Sequence, residues 1–463
     1  MNILIVGNGF DLSHYLPTKY DHFMDVMGAI EEKKLGQPIS NVFKNPVDDF
    51  PTLLMKVIEI KNALNENNYE MNFNELFSKC REKWFIEKTQ SIYCTDSINL
   101  NFEKIIEIQY QLKKNVWYQY FKSHVKDIKT WIDFEQKIEE VLRAFSKMLS
   151  SIERNEIDFE DLEFSFHELI DKNSVKILNY FKIFKEIGGL VKINQKYVST
   201  PIQLYLNSNF FYGKTLTNGF SPSVFLNFIS SQLDSFIEIF NLYLELVVSR
   251  LIPISALSIE SDDWIYPDKI YSFNYTNTYQ RIHDSVSVKV EYLHGSHGEE
   301  QNIVLGVSDL EDDYLKKIKA YGFTKYHQKL FKDTDYLFLD NYKHKIKQHN
   351  LKVAYFEKDS DGDDPTIKRF TRQQLIEKES KLNLNISIWG HSLDVSDQDY
   401  IKDLFSLNDH MDRNVRVTVY HFNKTAKFDL LNNLLAILGK DKIEHWMKKK
   451  WLVFKLNPEI KPV

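Results

Sequence analysis

Lys269 to Ser296 reads KIYSFNYTNTYQRIHDSVSVKVEYLHGS, and the rest of the chain is understood from it. Ile270 to Phe273 is β-prone and apolar, and it stops at Asn274, Tyr275 and Thr276. Val286 to Leu293 is a second β-branched run, and it stops at His294, Gly295 and Ser296. Apolar runs bounded by polar turn residues predict strands, and the segment between these two predicts a short helix. In an open α/β sheet, groups at the carboxyl ends of neighbouring strands converge on one crevice, where ligands bind. An amide from Asn274 and an imidazole from His294 are therefore expected at equivalent strand ends.

The same pattern recurs at both ends of the chain. Asn2 to Val6 predicts a short buried strand feeding Gly7-Asn8-Gly9-Phe10-Asp11. A strand, a glycine turn and a helix make the corner that faces phosphates, because glycine lets backbone N–H groups approach and a helix N-terminus favours anions. The G-x-G-x-x-G fingerprint is incomplete, with Leu12 in the place of the third glycine. No second strand ending in Asp or Glu follows at ribose-gripping distance, which argues against an ordinary dehydrogenase. Leu16-Pro17-Thr18 breaks the pattern, and a helix restarts near Lys19. Asn302 to Gly306 reads as another short strand. Leu384 to Trp389 reads as a strand ending in Gly390-His391-Ser392-Leu393, with a helix from about Asp397. Val415 to Phe422 ends at Asn423 and leads into a helix to about Leu438.

Between these parts the texture is helical. In Phe134 to Leu149, apolar Ile138, Val141, Leu142, Phe145 and Leu149 fall at helical spacing, and Asp133 with Gln136 resembles a capping box. Phe102 to Val125 and Pro222 to Leu251 read the same way. Leu315 to His349 is helical and charged. Glu357 to Pro365 is acidic and turn-rich, but Asp364 and Phe370 stand where an EF-hand loop needs Gly and Glu, so it reads as a solvated loop. The organisation expected is residues 1–50 as the first part of an α/β core, 51–257 as a large all-helical insertion, and 258–463 as the remainder, with a charged helical and loop insertion near 315–380. No repeat at a period of about 20–50 residues stands out.

Composition narrows the classes. The 463 residues allow two or three structural units, and 43% hydrophobic with 27% charged residues is ordinary for a globular chain. A formal charge of −6 gives no strong nucleic-acid signal. Cys80 and Cys94 are too few for a disulfide scaffold and lack C-x-x-C zinc pairs, which fits a reducing cytoplasm. No run of roughly 18 apolar residues predicts a membrane span. The 33 Phe and 25 Tyr fit large helical cores, the other reading being base stacking in a nucleic-acid groove.

With no metal-ligand cluster and no Ser or Cys on a nucleophile elbow, the strand-end groups suit cleavage of an N-glycosidic bond. The nicotinamide of NAD leaves as a neutral molecule while its ribose passes through an oxocarbenium-like state. An imidazole can draw a proton there, and an Asn can fix ribose or water. Each residue also has a structural alternative: Asn274 as a helix cap, His294 as a core histidine, Gly7 and Gly9 as a tight turn.

SFNYTNTYQRI followed by VEYLHGS resembles the paired sirtuin motifs in which an Asn precedes a strand ending in His-Gly-Ser. Gly7-Asn8-Gly9-Phe10-Asp11 resembles the sirtuin Gly-Ala-Gly opening, and Leu16-Pro17-Thr18 takes the place of its nicotinamide-side loop. Gly390-His391-Ser392-Leu393 resembles its Gly-Thr-Ser-Leu turn, and Asn423 its adenosine-side Asn. More closely, NILIVGNGFDLSHYLPTKYDHF and IWGHSLDVSDQDYI resemble the AbiH family of bacterial phage abortive-infection proteins. The resemblance implies a sirtuin-like, Rossmann-type parallel sheet core with catalytic Asn274 and His294. It implies NAD contacts from Gly7, Asn8, Gly9, Phe10, Asp11, Thr18, Gly295, Ser296, Gly390, His391, Ser392 and Asn423. Asp11 replaces a small hydroxyl residue, Lys19-Tyr20 replaces the Asp-Phe-Arg sequence, and the four-cysteine zinc module is absent, which points away from deacetylation. The function expected is an antiphage effector that hydrolyses NAD to nicotinamide and ADP-ribose, without a metal. A homo-oligomer and a phage-derived trigger are the expected partners. The alternatives are a nucleotide-sensing switch without catalysis and an RNA-directed toxin.

Overall fold

Ile3-Leu4-Ile5-Val6 is apolar at every position, the composition of a strand covered on both faces, and it becomes the middle of a six-stranded sheet. The computed structural model describes residues 1–33, 51–52, 54–56, 58–59, 69–125, 131–154, 170–193, 196–214, 219–261, 264–283, 288–334, 337–358 and 380–463. The sheet strands are β1 (Asn2–Val6), β2 (Lys269–Ser272), β3 (Lys289–Tyr292), β4 (Leu384–Trp389), β5 (Val415–His421) and β6 (Leu452–Leu456). All pairings are parallel, in the spatial order β3-β2-β1-β4-β5-β6. This is the strand order of doubly wound dinucleotide-binding sheets, with the order reversing between β1 and β4. The helices of this unit include α1 (Asn8–Ser13), α2 (Thr278–Ile282), α3 (Asp340–Lys358), α4 (Gln398–Ser406), α5 (Lys424–Leu438) and α6 (Lys440–Lys448).

Alternation along the strands divides the core in two. Ile3, Ile5, Tyr271, Ile386 and Ile388 pack with Phe405 of α4 and Trp446 of α6. Leu4, Val6, Ile270 and Trp389 pack with Phe10 of α1 and Tyr279 of α2. Each large side chain buried this way contributes about 1.5–3 kcal/mol. The chain divides into two compact units: residues 1–16, 253–303 and 332–463 form the sheet unit, and 17–252 with 304–331 form the other. The first boundary thus falls after Leu16, where the sequence placed it near residue 50, and 304–331 joins the helical unit.

The helical unit contains the helices Tyr20–Glu32, Phe102–Lys114, Val116–Ser123, Trp131–Arg154, Lys172–Tyr180 and Pro222–Leu246. Its aromatics pack on one another: the Phe23 ring lies 5.3–5.7 Å from those of Phe236, Phe240 and Tyr243, in edge-on contacts. The unit also holds an antiparallel hairpin, Phe184–Ile193 with Lys196–Leu206, where the sequence reading expected helices alone. Tyr197, Val198, Thr200 and Ile202 supply β-branched and aromatic residues that favour a strand there. Asp133 lies in the first turn of its helix, which begins at Trp131, rather than capping it. Asn302 to Gly306 is not a strand, because the Gln328 side chain takes both backbone groups of Leu305, at 2.9 Å each. Residues 284–287 and most of the acidic Glu357 to Pro365 stretch lie outside the described residues. Among the described residues no helix is long and apolar enough to cross a membrane.

Candidate functional site

Register brings the strand ends level. Val6 lies opposite both Ser272 and Trp389, Ser272 opposite Tyr292, and Trp389 opposite Tyr420. Two residues beyond those ends come Asn8, Asn274, His294 and His391, so one rim of the sheet carries both amides and both imidazoles. Alternation then sorts them: Phe273 follows Tyr271 to one face, and Asn274 follows Ile270 and Ser272 to the other.

On the first face two histidines share one carboxylate. His294 Nε2 lies 3.2 Å from Asp397 Oδ1, and His391 Nε2 lies 3.5 Å from Asp397 Oδ2. The His391 tautomer follows from its other nitrogen: Nδ1 accepts the Leu393 N–H at 2.9 Å, so the ring proton sits on Nε2 and points at the carboxylate. Phe273 holds the group together, its ring centroid 4.1 Å from His391, 5.1 Å from His294 and 5.2 Å from Tyr400 of α4. His294, His391 and Asp397 are all buried, at 6%, 7% and 9% exposure. Asp397 is the N-cap residue of α4, yet its side chain makes no capping bond and turns to the imidazoles instead. The carboxylate can fix the orientation of both rings and stabilise a proton gained by either.

On the other face Asn274 serves the first glycine corner. Its Nδ2 donates to the Gly7 carbonyl at 2.9 Å, and Ser272 Oγ braces its backbone on both sides, at 3.0 and 3.1 Å. It caps no helix; α2 starts at Thr278. Beside it Asp11 is fully buried, with Oδ2 accepting from Thr276 Oγ1 at 2.6 Å, which itself accepts from Thr278 Oγ1. Burial pushes the Asp11 carboxyl up to about 6, against the opposing pull of Thr276 and Thr278. A cavity of about 10 Å³, room for roughly one water, lies among Asp11, Asn274, Thr276, Thr278 and Tyr292.

The two corners pack on each other through their glycines. Gly7 N–H donates to Trp389 O and Gly9 N–H to Gly390 O, at 3.1 and 2.8 Å. A Cβ on Gly7 would stand 2.5 Å from the His391 Cα, and one on Gly390 (φ +75°) 2.0 Å from the Phe10 nitrogen. Under the α1 corner, His14 Nδ1 faces the Phe10 carbonyl and its Nε2 faces His283 Nε2, both at 2.7 Å. Nδ1 therefore carries the His14 proton, and its Nε2 lone pair faces the His283 ring. Burial lowers these imidazoles to about 3 and about 4.

The remaining expected residues are placed as follows. Asn8 is half-buried at the start of α1, and Phe10 is a core residue whose ring meets Trp389 edge-on at 5.0 Å. The Gly295-Ser296 turn is tied to Asn302, whose Oδ1 accepts the Ser296 N–H at 2.9 Å. Ser392 is exposed, and its carbonyl accepts from Asn433 at 2.9 Å. Asn423 caps α5 by accepting the Ala426 N–H at 2.8 Å. Thr18 is buried in the other unit. Asp397, Phe273 and Tyr400 were not nominated from the sequence; an Asp before a helix looks like a cap there, and only its neighbours show otherwise. Among the described residues no group of three His, Cys, Asp or Glu side chains is arranged to hold a metal ion.

Sheet order and strand-end cluster define an α/β protein with a doubly wound parallel sheet. The chain belongs to the family described as bacteriophage abortive infection AbiH, which it matches over residues 3–421. That membership implies a part in abortive infection against bacteriophage. No curated protein and no solved structure matches the chain.

Proposed function

We propose that this AbiH-family chain acts as an enzyme that hydrolyses NAD to nicotinamide and ADP-ribose during abortive infection. The observation that supports this reading is the pair of imidazoles on Asp397, at the carboxyl rim of a sheet whose strand order is that of dinucleotide-binding proteins. In the reaction the bond from ribose C1′ to the nicotinamide nitrogen breaks, and its electron pair neutralises the pyridinium. Water adds to C1′ and gives a proton to the imidazole of His294, whose Nε2 lies 3.2 Å from the Asp397 carboxylate. Asp397 stabilises the imidazolium until the proton passes to solvent. Asn274 acts through Gly7, fixing the corner against which His391 is set.

The test is to incubate purified protein with NAD, with and without phage lysate, and to follow nicotinamide and ADP-ribose. Turnover in the native chain and its loss in His294→Ala, with the fold intact by circular dichroism, is the expected result. A protein that binds NAD but releases no nicotinamide under either condition would move the reading to a nucleotide-sensing switch. The glycine corners, closed on each other rather than open, favour that second reading.

A further inference from the structure

The backbone around His391 shows what that imidazole is there to do. His391 and Ser392 lie between two residues in left-handed conformation, Gly390 at φ +75° and Leu393 at φ +53°. Glycine takes that conformation freely, but a leucine takes it under strain, and strained backbone gathers at functional sites. The Leu393 side chain is 2% exposed and anchored in the same core cluster as Ile386 and Ile388, which holds the residue there.

One contact results from this conformation. The Leu393 N–H reaches back two residues to His391 Nδ1, at 2.9 Å. A backbone N–H only donates, so Nδ1 is the accepting nitrogen and the ring proton lies on Nε2, 3.5 Å from Asp397 Oδ2. The neutral ring has one lone pair, and Leu393 occupies it, so none remains to take a proton from water. Asp397 is also held from its own side. It closes the 3-10 turn Val395–Asp397, in which Asp394 Oδ1 accepts the Ser396 N–H at 2.9 Å and Asp394 O accepts the Asp397 N–H at 3.0 Å. The other carboxylate oxygen, Oδ1, lies 3.2 Å from His294 Nε2.

We propose that His391 is a positioning residue for the NAD cleavage described above: it holds the Asp397 carboxylate against His294 and does not itself take the proton. The inference rests on that reading of the site. With Oδ2 toward His391, Oδ1 keeps its place beside the ring on which the imidazolium forms. Misplacing a group at a reacting centre by about 1 Å costs roughly 10²-fold in rate. His391 therefore matters to turnover without touching the substrate.

Glutamine separates positioning from proton transfer, because its amide N–H can replace the imidazole Nε2–H while the side chain has nothing to titrate. His391→Leu removes the donor and keeps bulk, and it should lower kcat roughly 10²-fold with little change in KM. His391→Gln should recover most of that loss, with the acid limb of its kcat/KM profile matching the native one. Both variants are compared at native circular dichroism. A glutamine variant as inactive as the leucine one would make His391 the proton acceptor and overturn the proposal, as would native turnover in His391→Leu. Nitrogen-15 NMR of the full native chain, labelled at histidine and without NAD at pH 7, adds a measurement that depends on no variant's folding. It should show the His391 ring protonated on Nε2 and bare on Nδ1. Turnover with that ring protonated on Nδ1 would overturn the proposal alone. A native chain that binds NAD and releases no nicotinamide would overturn it together with the cleavage reading.

Discussion

Asp11 shows what one buried carboxyl does to a protein's response to acid. Folded, it titrates near 6, against an ordinary 3.8, because burial disfavours its charge. Between those values the folded state holds more protons than the unfolded one. Its contribution is therefore fully present below pH 3.8 and lost as the pH rises through 6, a swing of about 3 kcal/mol. Asp11→Asn keeps an oxygen for Thr276 and has no charge to bury. We expect that variant to be more stable than the native chain at pH 7 and to show a flatter dependence between pH 4 and 6, measured by urea unfolding. At the other face, Asp397→Asn leaves two imidazoles without their shared negative charge. If NAD cleavage is the reaction, turnover should fall by roughly 10²-fold or more with little change in KM; unchanged turnover would remove Asp397 from the mechanism. Tyr400 and Phe273 carry no such charge and set only where the rings lie.

At the scale of elements, the corners β1–α1 and β4–α4 pack backbone to backbone. Gly390 has φ +75°, and an added Cβ would meet the Phe10 nitrogen at 2.0 Å, which no small shift relieves. Gly390→Ala should destabilise the chain by about 1–3 kcal/mol or more. Gly28, inside the helix Tyr20–Glu32, has nothing within 4 Å of an added Cβ. Gly28→Ala should stabilise by roughly 0.5–1 kcal/mol, and comparing midpoints of denaturation checks both. Strand positions were legible because apolar runs such as Leu384–Trp389 stop at glycine or polar residues, and the register then follows from parallel pairing. The strand β6 escaped notice, since Leu452–Leu456 follows a basic helix end and has no glycine corner after it. Which face each side chain would take was not legible. Asn274 and His294 look equivalent in one dimension, yet alternation and the Gly295 turn send them to different neighbours. Nor could the sequence show that Gly7 and Gly390 need one another.

Across the whole molecule the titrations of buried imidazoles oppose that of Asp11. His14 is lowered to about 3, and His22 and His283 to about 4, mainly by burial, against an ordinary 6.5. Below 6.5 the unfolded chain takes protons that the folded one refuses, so this stability is present above pH 6.5 and lost as the pH falls toward 4. Asp25, also raised to about 6, adds to the Asp11 trend, but the three imidazoles are shifted further in total. The melting temperature should therefore decline from pH 7 to pH 5, and a rise over that range would contradict the burial described for these rings. Sheet order carries a further consequence, for timing. β1 is made first, yet both strands it bonds to begin only at Lys269 and Leu384. At about 5–20 residues per second a ribosome takes roughly 20–80 s to bridge that gap. Throughout that interval the nascent chain has no histidine pair on Asp397, because the second imidazole and the carboxylate come only with β4 and α4.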